Sequence, residues 1–571
     1  MNSTITRVAR DASKAGTLGV DRSAVDRLVV VVPALIFIAA SLQYGLIDYA
    51  LVRDHAYYAY YGFRVAAGDV VYRDLVDNKT PLSMYLSALL VGLARIVGTD
   101  PLTTIRVGYL LMSAVVVALT AAILMSAFRD RRLALMGGML LATFGTLSRL
   151  SISGPEPKVP MLMFALLGTL AAQHGRWLLC GVTVGLAGLA WQPGWSFTGV
   201  GLVAILATST RRWRDAAWLL AGVILPVLGA GVYFAWHGAL RDAIWQTVVA
   251  NIVHVPGVPG GSTATGANKL SSIAFIMAAQ YHREMLIVAA GFLGLIVLGL
   301  DIWAGTFRRM SREAVAFSMG AFTPLVFTAV LGIQGATDTL VVLPSLACFA
   351  AYLLVRTTEA RPAAAWAFAV AALGFAVVGF LGRSNRLPFV VLAAAAPLLW
   401  ALAFRVLRDP RAPIKHRTPS WMVGVLMLAV LVYGTVDAAR FNLANTRYAQ
   451  ERLFRGVAAQ TGFDPTSKVL TIQGAEFLVL TGHQNALRYS HFMVVSRAFF
   501  ERYERRPLEG ITDDLERVSP KLVIIPQQRL DQAAELVRAW VSTRYRHETS
   551  FRSAYPEDAN AGFTYDVWSR P

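Results

Sequence analysis

The chain has 571 residues, of which 56% are hydrophobic and only 15% are charged. Soluble globular proteins average about 25% charged residues, so this composition argues against a soluble protein and predicts a membrane protein. The net charge of +18 does not indicate nucleic-acid binding, because the arginines stand mostly in short loops between apolar runs and no soluble segment carries a basic stripe with interleaved aromatic residues.

The N-terminal segment 1–27 is polar and basic, and a long apolar run follows it. No small-residue cleavage site follows that run, which argues against a signal peptide. We therefore interpret residues 1–27 as a cytoplasmic tail that leads into a retained first span. The two cysteines, Cys180 and Cys348, both fall within apolar runs, so neither a disulfide framework nor a zinc cluster is expected.

Apolar runs near the roughly 20 residues needed to cross a bilayer recur between residues 28 and 438. They predict about thirteen spans, near residues 28–47, 103–128, 133–150, 159–173, 177–191, 196–208, 214–236, 285–305, 313–333, 338–355, 363–381, 387–404 and 420–437. The segment 81–98 is interpreted instead as an amphipathic helix at the outer interface.

The basic residues between these runs predict the topology. The positive-inside rule places the arginine-rich connections in the cytoplasm, at residues 128–132, 174–177, 209–214, 307–312, 356–362 and 405–417. The loops around Pro155 and Pro193, the first loop at 48–102, the 237–284 loop and the C-terminal region then all lie on the outer face.

The first outer loop is rich in polar and aromatic residues, with the sequence RDHAYYAYYGFRVAAGDVVYRDLVDNKTPL over residues 53–82. Asp54 is a candidate general base that deprotonates an acceptor hydroxyl, and the alternative is a capping or solvated acid at the end of a span. Tyr57, Tyr58 and Tyr61 are candidate substrate contacts, with an interfacial aromatic belt as the alternative.

A second polar cluster ends this loop. Lys79 is a candidate phosphate contact, since a point charge there stabilises a leaving group; the alternative is a plain polar turn before Pro81. The acids of the loop offer a further alternative, a hard-cation site, although their spacing matches no metal motif; the residues concerned are Asp54, His55, Asp74 and Asp77.

Two later outer loops carry further candidates. Glu156 stands between two prolines and is followed by Lys158, so the loop presents an acid and a basic residue at the face predicted for Asp54; the alternative is a plain loop acid. The 237–284 loop contains His254 and a glycine-rich run. Two interpretations are open: the loop closes over a bound lipid substrate, or it is a plain connector.

Beyond residue 438 the composition becomes polar. Short β-like runs at 468–472 and 521–525, and a helical stretch at 530–545, predict a small α/β domain over residues 439–571 on the outer side. The spans have almost no ionisable residue at their centres, which argues against an ion-coupled transporter. No Walker A, GxSxG, HExxH or GxGxxG motif appears in a plausible context.

Together, the acid after the first span, the tyrosine pairs, Gly68-Asp69, the Tyr-Arg-Asp turn at 72–74 and the Lys79-Thr80-Pro81-Leu82 element resemble the first outer loop of GT-C glycosyltransferases. The resemblance is to the family of protein O-mannosyltransferases and lipid A aminoarabinose transferases, and it covers roughly residues 28–240. It implies an inverting glycosyltransferase that uses a polyprenyl-phosphate sugar donor.

The resemblance also implies roles for individual residues. Asp54 would activate the acceptor, Glu156 would orient the acceptor or the donor, and Lys79, together with Lys158, would hold the phosphate. The family often has an Asp-Glu pair where this chain has Asp54-His55, which puts in doubt a two-acid or metal role for the first loop. No cofactor is expected.

The expected partners are the lipid-linked donor, the bilayer and a protein, lipid or envelope-glycan acceptor, at the outer face of the inner (plasma) membrane. A lipid-linked oligosaccharide flippase or polymerase is the main alternative, and it predicts charged residues along a central path through the spans. A scaffold that presents the C-terminal domain is a second alternative, and thirteen spans would be excessive for it.

Overall fold

Apolar helices dominate the N-terminal half of the chain. The computed structural model describes residues 22–43, 48, 50–51, 53–145, 147–148, 153–250, 285–303, 340–360, 447–460, 467–472, 474–489, 499–527, 532–552 and 564–570. The helices of the first half are α1 (Arg22–Gln43), α2 (Arg53–Ala66), α3 (Leu82–Val97), α4 (Pro101–Phe128), α5 (Arg131–Ala142), α6 (Lys158–Gln173), α7 (Trp177–Ala190), α8 (Thr198–Thr208), α9 (Arg212–Trp236) and α10 (Leu240–Ile244).

Two short irregular turns interrupt this series and contribute to the site described below. A 3₁₀ turn, Gln192–Phe197, joins α7 to α8, and a π-helical turn, Trp245–Val249, continues α10. Two further apolar helices follow later in the chain, α11 (Met285–Trp303) and α12 (Leu343–Ala360). Residues 240–250 are thus helical, where the sequence suggested only the start of a long loop.

Among the described residues, three helices are long and apolar enough to cross a membrane, namely Ser23–Leu42, Pro101–Phe128 and Arg212–Trp236. Shorter apolar helices lie at or near five other segments that the sequence predicted. In the described part of the chain they are Leu82–Val97, Lys158–Gln173, Trp177–Ala190, Ile287–Gly299 and Leu340–Arg356. The spans predicted at 313–333, 363–381, 387–404 and 420–437 lie outside the described residues. The total of about thirteen spans therefore stays a prediction.

The ends of the helices follow from local sequence. Asp100 caps α4 by accepting a hydrogen bond from the Thr103 amide at 2.8 Å, and Pro101 stands at the first helical position, where no amide donor is needed. At the other end of α4, Asp130 caps α5, and Arg131 pairs with Asp26 at 2.6 Å. The start of α1 and the 128–132 connection therefore lie at the same end of the bundle, as the topology predicts.

The 81–98 segment forms helix α3, as predicted, but its polarity is not that of an interfacial helix with a polar outer face. Its buried face includes Ser83 and Ser87, whereas the exposed face is apolar, with Leu89 at 68% and Ile96 at 85% exposure. An outward apolar face suits contact with lipid. The location of α3 at the interface stays a prediction.

The C-terminal part of the chain contains a four-stranded sheet. Its strands are β1 (Val469–Thr471), β2 (Leu522–Pro526), β3 (Arg546–Arg552) and β4 (Thr564–Ser569), in the order β1-β2-β4-β3. Strands β1 and β2 are parallel, and β4 runs antiparallel to both β2 and β3. The helices of this part are α13 (Arg447–Gln460), α14 (Ala475–Thr481), α15 (Gly510–Val518) and α16 (Gln532–Arg544), with a π turn at Phe499–Glu504.

The strands expected at 468–472 and 521–525 and the helix expected at 530–545 are all observed, so this part has the predicted mixture of strand and helix. Its status as a separate domain beginning at residue 439 stays a prediction. Helix α2 packs directly against it: the Asn485 amide donates to the Tyr60 hydroxyl at 2.9 Å, and Gln450 accepts from the Leu51 amide at 2.8 Å. Helix α2 therefore lies between the apolar bundle and the sheet.

Helices α7 and α9 cross with almost no space between their backbones. A Cβ atom on Gly222 would lie 2.4 Å from the carbonyl oxygen of Leu178 and 2.8 Å from the Cα atom of Gly181. Real Cβ atoms do not approach so closely, so only glycine fits at this crossing. Small residues at helix contacts permit the close packing that stabilises membrane bundles.

We expect Gly222→Leu to lower the thermal unfolding temperature of the purified protein, because overpacking of this kind costs about 1–3 kcal/mol. The matched control is Gly229→Leu in the same helix, where a Cβ atom would meet nothing within 4 Å. Thermal unfolding of both variants in detergent measures the difference. Equal unfolding temperatures for the two variants would contradict the tight crossing.

Candidate functional site

The first turn of α2 presents Asp54 at one end of the bundle. An acidic side chain in this position is favoured by the helix dipole. The Asp54 carboxylate is exposed and, within the described part of the chain, it has no hydrogen bond or ion pair. A carboxylate that is exposed and unengaged is free to accept a proton from a bound molecule.

The neighbouring residue, His55, takes part in a buried polar cluster around Glu156. The Glu156 side chain has no exposed surface; its Oε1 accepts from Lys158 Nζ at 2.9 Å and its Oε2 lies 3.4 Å from His55 Nε2. The other ring nitrogen of His55 lies 2.9 Å from the Ser153 hydroxyl. The cluster therefore links α2 to the loop before α6.

Burial would raise the pKa of Glu156, but the Lys158 ammonium and the His55 imidazole outweigh burial and hold that pKa below its ordinary value. Glu156 is consequently an ionised carboxylate at neutral pH. Lys158 also lies 4.8 Å from the ring centroid of Trp191, so its charge is stabilised on two sides.

Gly154 allows this loop to reach α2. A Cβ atom on Gly154 would lie 2.3 Å from the Cβ atom of His55, so a larger residue would push the loop away. Pro155 and Pro157 flank Glu156, and α6 begins directly afterwards at Lys158. The acid is thus held in a short, rigid connection, as the sequence suggested.

Three acidic side chains affect the pKa of the Tyr58 hydroxyl group. Burial raises the pKa of the Tyr58 phenol well above its ordinary value, and Asp77, Asp54 and Glu156 raise it further because all three lie near the hydroxyl group. Tyr58 is only 5% exposed, and among the described residues its hydroxyl has no hydrogen-bond partner. At neutral pH it is a protonated donor under the influence of three negatively charged side chains.

The other two candidate tyrosines lie elsewhere. The Tyr61 hydroxyl donates to the Val76 carbonyl at 3.1 Å. Tyr57 faces the C-terminal part, where burial and then Glu476 and Tyr565 raise its pKa. Because Tyr57, Tyr58 and Tyr61 are at most 5% exposed, the alternative of a lipid-facing aromatic belt is wrong for them.

Lys79 ends a loop that folds back on itself. Tyr72 has a left-handed φ of +74°, which is costly for a bulky residue, and its hydroxyl donates to the Lys79 carbonyl at 2.8 Å. The Lys79 amide in turn donates to Asp77 at 2.7 Å. The Lys79 side chain is half-buried, and its ammonium group has no acidic partner within the described ranges.

Three elements from outside the first loop hold this segment in place. Gln192 in the 3₁₀ turn donates to the Asn78 carbonyl at 2.6 Å. Gln246 in the π turn binds the backbone of the loop at two points, and from the C-terminal part the Arg488 carbonyl accepts from the Val76 amide at 3.2 Å. Gln192 thus holds the residue before Lys79, and the adjacent Trp191 contacts Lys158. One segment therefore supports both lysines.

Two of the four residues considered for a hard-cation site have other partners. Asp74 pairs with Arg73 at 2.8 Å, and His55 is engaged with Glu156. Within the described residues, no group of three histidine, cysteine, aspartate or glutamate side chains is arranged to hold a metal ion. The remaining candidate, His254, lies outside the described residues.

An apolar groove opens at the start of α3. It has a volume of about 320 Å³ and lies between the start of α3, α7 and the end of α9. Its lining includes Pro81, Leu82, Tyr85, Leu189, Tyr233 and Phe234. Pro81 is only two residues from Lys79, so the groove and the ammonium group belong to the same end of the bundle.

Sequence reasoning missed the residues that hold the site together. Trp191, Gln192 and Gln246 are single neutral residues without a motif, and nothing in their immediate sequence marks them. His55 was considered only as a cation ligand or as a departure from a two-acid pattern, whereas it is the partner of Glu156. The one available signal was the Asp54-His55 departure itself, since a histidine can face a second acid where a glutamate would repel it.

No family model and no curated relative matches the chain. Its fold is similar to that of ArnT from Cupriavidus metallidurans bound to undecaprenyl phosphate, with a TM-score of 0.52 and 16% identity over 94% of this chain and 97% of that chain. The apo state of that protein gives a TM-score of 0.54 and 15% identity over the same shares.

Arabinofuranosyltransferase AftD from Mycobacteria is 13% identical over 95% of this chain and 40% of that chain, with a TM-score of 0.38, which is too low to support an argument. The likeness to ArnT shows that this chain shares the fold of that protein, which agrees with the predicted polytopic helical membrane protein; the thirteen spans and the separate C-terminal domain stay predictions. At this level of identity it shows the fold alone.

We expect Glu156→Gln to destabilise the protein at pH 7 by about 3–5 kcal/mol, because the buried Lys158 ammonium loses its carboxylate partner. The folded pKa of Glu156 lies below the unfolded value of about 4.3, so its stabilisation is present above that pH and is lost as the pH falls further. The difference between wild type and variant should therefore shrink below about pH 4.

Thermal unfolding between pH 7 and pH 3 measures this effect. The control is Asp513→Asn, which removes an exposed acid, and it should match the wild type throughout. A difference between wild type and Glu156→Gln that stays constant with pH would contradict an ionised, paired Glu156.

Proposed function

We propose that the protein is an inverting glycosyltransferase that moves a sugar from a polyprenyl-phosphate donor to a hydroxyl acceptor. The observation that carries the proposal is the Asp54 carboxylate, which is exposed and has no partner among the described residues, and which acts on Tyr58 together with Glu156 and Asp77 at the end of a bundle whose fold is similar to that of ArnT. An apolar groove and the ammonium group of Lys79 belong to the same end.

Asp54 acts as the general base in this reaction. Its carboxylate accepts the proton of the acceptor hydroxyl as the acceptor oxygen attacks the anomeric carbon from the face opposite the phosphate. The bond between the anomeric carbon and the phosphate oxygen breaks, and the phosphate leaves with the bonding electron pair. One displacement of this kind inverts the configuration at the anomeric carbon.

Lys79 stabilises the departing phosphate. A compact ammonium group is suited to a phosphate as a point charge, and Lys79 has no competing acid within the described ranges. The isoprenoid chain of the donor lies in the apolar groove that begins at Pro81, so its phosphate reaches Lys79 without leaving the membrane surface. Nucleotide binding is not required, in accord with the missing phosphate-binding loop in the sequence.

Of the remaining candidate residues, one contacts the sugar and the others hold the loop in place. Tyr58 donates a hydrogen bond to a sugar hydroxyl, because its phenol is protonated and has no described partner. Glu156 and Lys158 neutralise each other and hold the loop beside Asp54, so their contribution is to position the acid. Tyr57 and Tyr61 support the loop: both pack within the protein, and the Tyr61 hydroxyl bonds to the Val76 carbonyl.

The reaction takes place at the outer face of the inner (plasma) membrane, where a lipid-linked sugar and its acceptor meet. The acceptor is a protein, a lipid or an envelope glycan. We propose that no cofactor takes part, since Asp74 and Glu156 are both engaged by protein cations and Asp54 alone supplies the base. The C-terminal α/β part lies on the same outer side.

We expect purified wild-type protein in lipid nanodiscs to transfer sugar from one member of a panel of radiolabelled polyprenyl-phosphate sugars, with a chelator present. Asp54→Asn should lower this rate by about 10²–10⁴-fold, the usual contribution of a general base. The control is Asp100→Asn in the same outer loop, because asparagine is an equally good helix cap there.

Absence of transfer from every donor by the wild type would contradict the proposal and favour a flippase or polymerase. Transfer that survives in Asp54→Asn would remove the base role and favour a phosphate acceptor, which needs little deprotonation.

We expect Lys79→Met to raise the KM for the lipid-linked donor by about tenfold or more, since a charged hydrogen bond contributes on the order of 1.5–3 kcal/mol. Initial rates over a range of donor concentrations measure this change. The control is Lys468→Met, which removes an exposed lysine of the C-terminal part. An unchanged donor KM in Lys79→Met would refute the phosphate contact.

A further inference from the structure

Gln246 holds both ends of the loop that leads to Lys79. Its side chain has no exposed surface, and its Oε1 accepts a hydrogen bond from the Asp77 amide at 3.0 Å. Its Nε2 donates to the Tyr72 carbonyl at 2.8 Å. A neutral amide is the side chain that donates and accepts at once, so one residue closes the loop between positions 72 and 77.

The two residues that Gln246 holds are the two that hold Lys79. The Lys79 amide donates to the Asp77 carboxylate, and the Lys79 carbonyl accepts from the Tyr72 hydroxyl. Tyr72 also has a left-handed backbone, which needs support from its surroundings because a bulky residue does not adopt it without cost. The bonds made by Gln246 supply that support and orient the backbone from which Lys79 projects.

Gln246 is itself supported by the C-terminal part of the chain. It lies in a π-helical turn, a feature frequent at functional sites. The Tyr503 ring stacks on the neighbouring Trp245, with centroids 4.5 Å apart, and the Tyr503 hydroxyl bonds to Asp242 and lies beside Gln246. The sheet-containing part thus reaches the loop through a continuous set of contacts.

We propose that Gln246 is a positioning residue that sets the place of Lys79, and that Tyr503 keeps Gln246 in register. The assignment of Lys79 to the donor phosphate rests on the proposed function, whereas the control of the loop by Gln246 does not. The C-terminal part then contributes to the donor site by shaping the 72–79 loop, without supplying a group that touches the donor.

The test is the substitution Gln246→Met. Methionine has a length similar to that of glutamine, so the substitution removes both hydrogen bonds with little change in volume. The matched control is Gln173→Met, a buried glutamine in α6 whose amide bonds to the Ile123 carbonyl and not to the loop. Hydrogen–deuterium exchange of the full chain in nanodiscs, followed by mass spectrometry, reports on the loop directly. We expect exchange in the 70–80 peptide to accelerate by about tenfold or more in Gln246→Met only.

Enzyme kinetics supply the second readout. We expect Gln246→Met to raise the donor KM by about tenfold while kcat changes by less than about threefold, because the variant displaces a binding group and leaves Asp54 in place. Tyr503→Phe keeps the stacking on Trp245 and loses the hydroxyl, so it should shift exchange and KM in the same direction by a smaller amount.

Unchanged exchange of the 70–80 peptide in Gln246→Met would overturn the proposal, whether or not the protein transfers sugar. Equal acceleration in Gln173→Met would overturn it as well, since the effect would then be one of general stability. Faster loop exchange in a protein that transfers no sugar would uphold the control of the loop and refute the proposed function alone.

Discussion

A carboxylate with no exposed surface requires nearby groups that favour its charge, and Glu156 obtains them from Lys158 and His55. Because His55 follows Asp54 in the chain, this ion cluster ties the start of α2 to the loop before α6. The direction in which Asp54 faces therefore depends on a contact made by its neighbour. Removal of one partner would leave a charge uncompensated in the interior and would also free the first loop.

Around this cluster, polar segments from distant parts of the chain meet at one end of the bundle. The first loop contacts the 3₁₀ turn through Gln192, the π turn through Gln246 and the C-terminal part through Arg488. The predicted topology places all of these segments on a single face of the membrane, and their contacts agree with it. Irregular backbone of this kind has to stay outside the lipid or be buried in protein, because its polar groups need partners.

The fold was predictable where it depends on hydrophobicity over long windows, and much of the site was not. The apolar runs at 103–128, 159–173 and 214–236 became helices within a few residues of their expected limits, and the β-like runs became neighbouring parallel strands. Residues 240–250, by contrast, form a helical turn inside a predicted loop, since the helix there is stabilised by tertiary packing that no short pattern reveals.

The sequence by itself indicated a helical membrane protein and the residue types that stand at its predicted outer face. It could do so because the length of an apolar run and the position of an arginine are local properties of the chain. It also pointed to Asp54, Lys79 and Glu156, since they stand in polar loops between long apolar runs. Only the tertiary structure decided which of these charges are free: Glu156 is paired with Lys158 and lies beside His55, whereas Asp54 is exposed. The reason is physical, as the state of a charged group depends on what is packed around it, and those partners come from segments far apart in the chain.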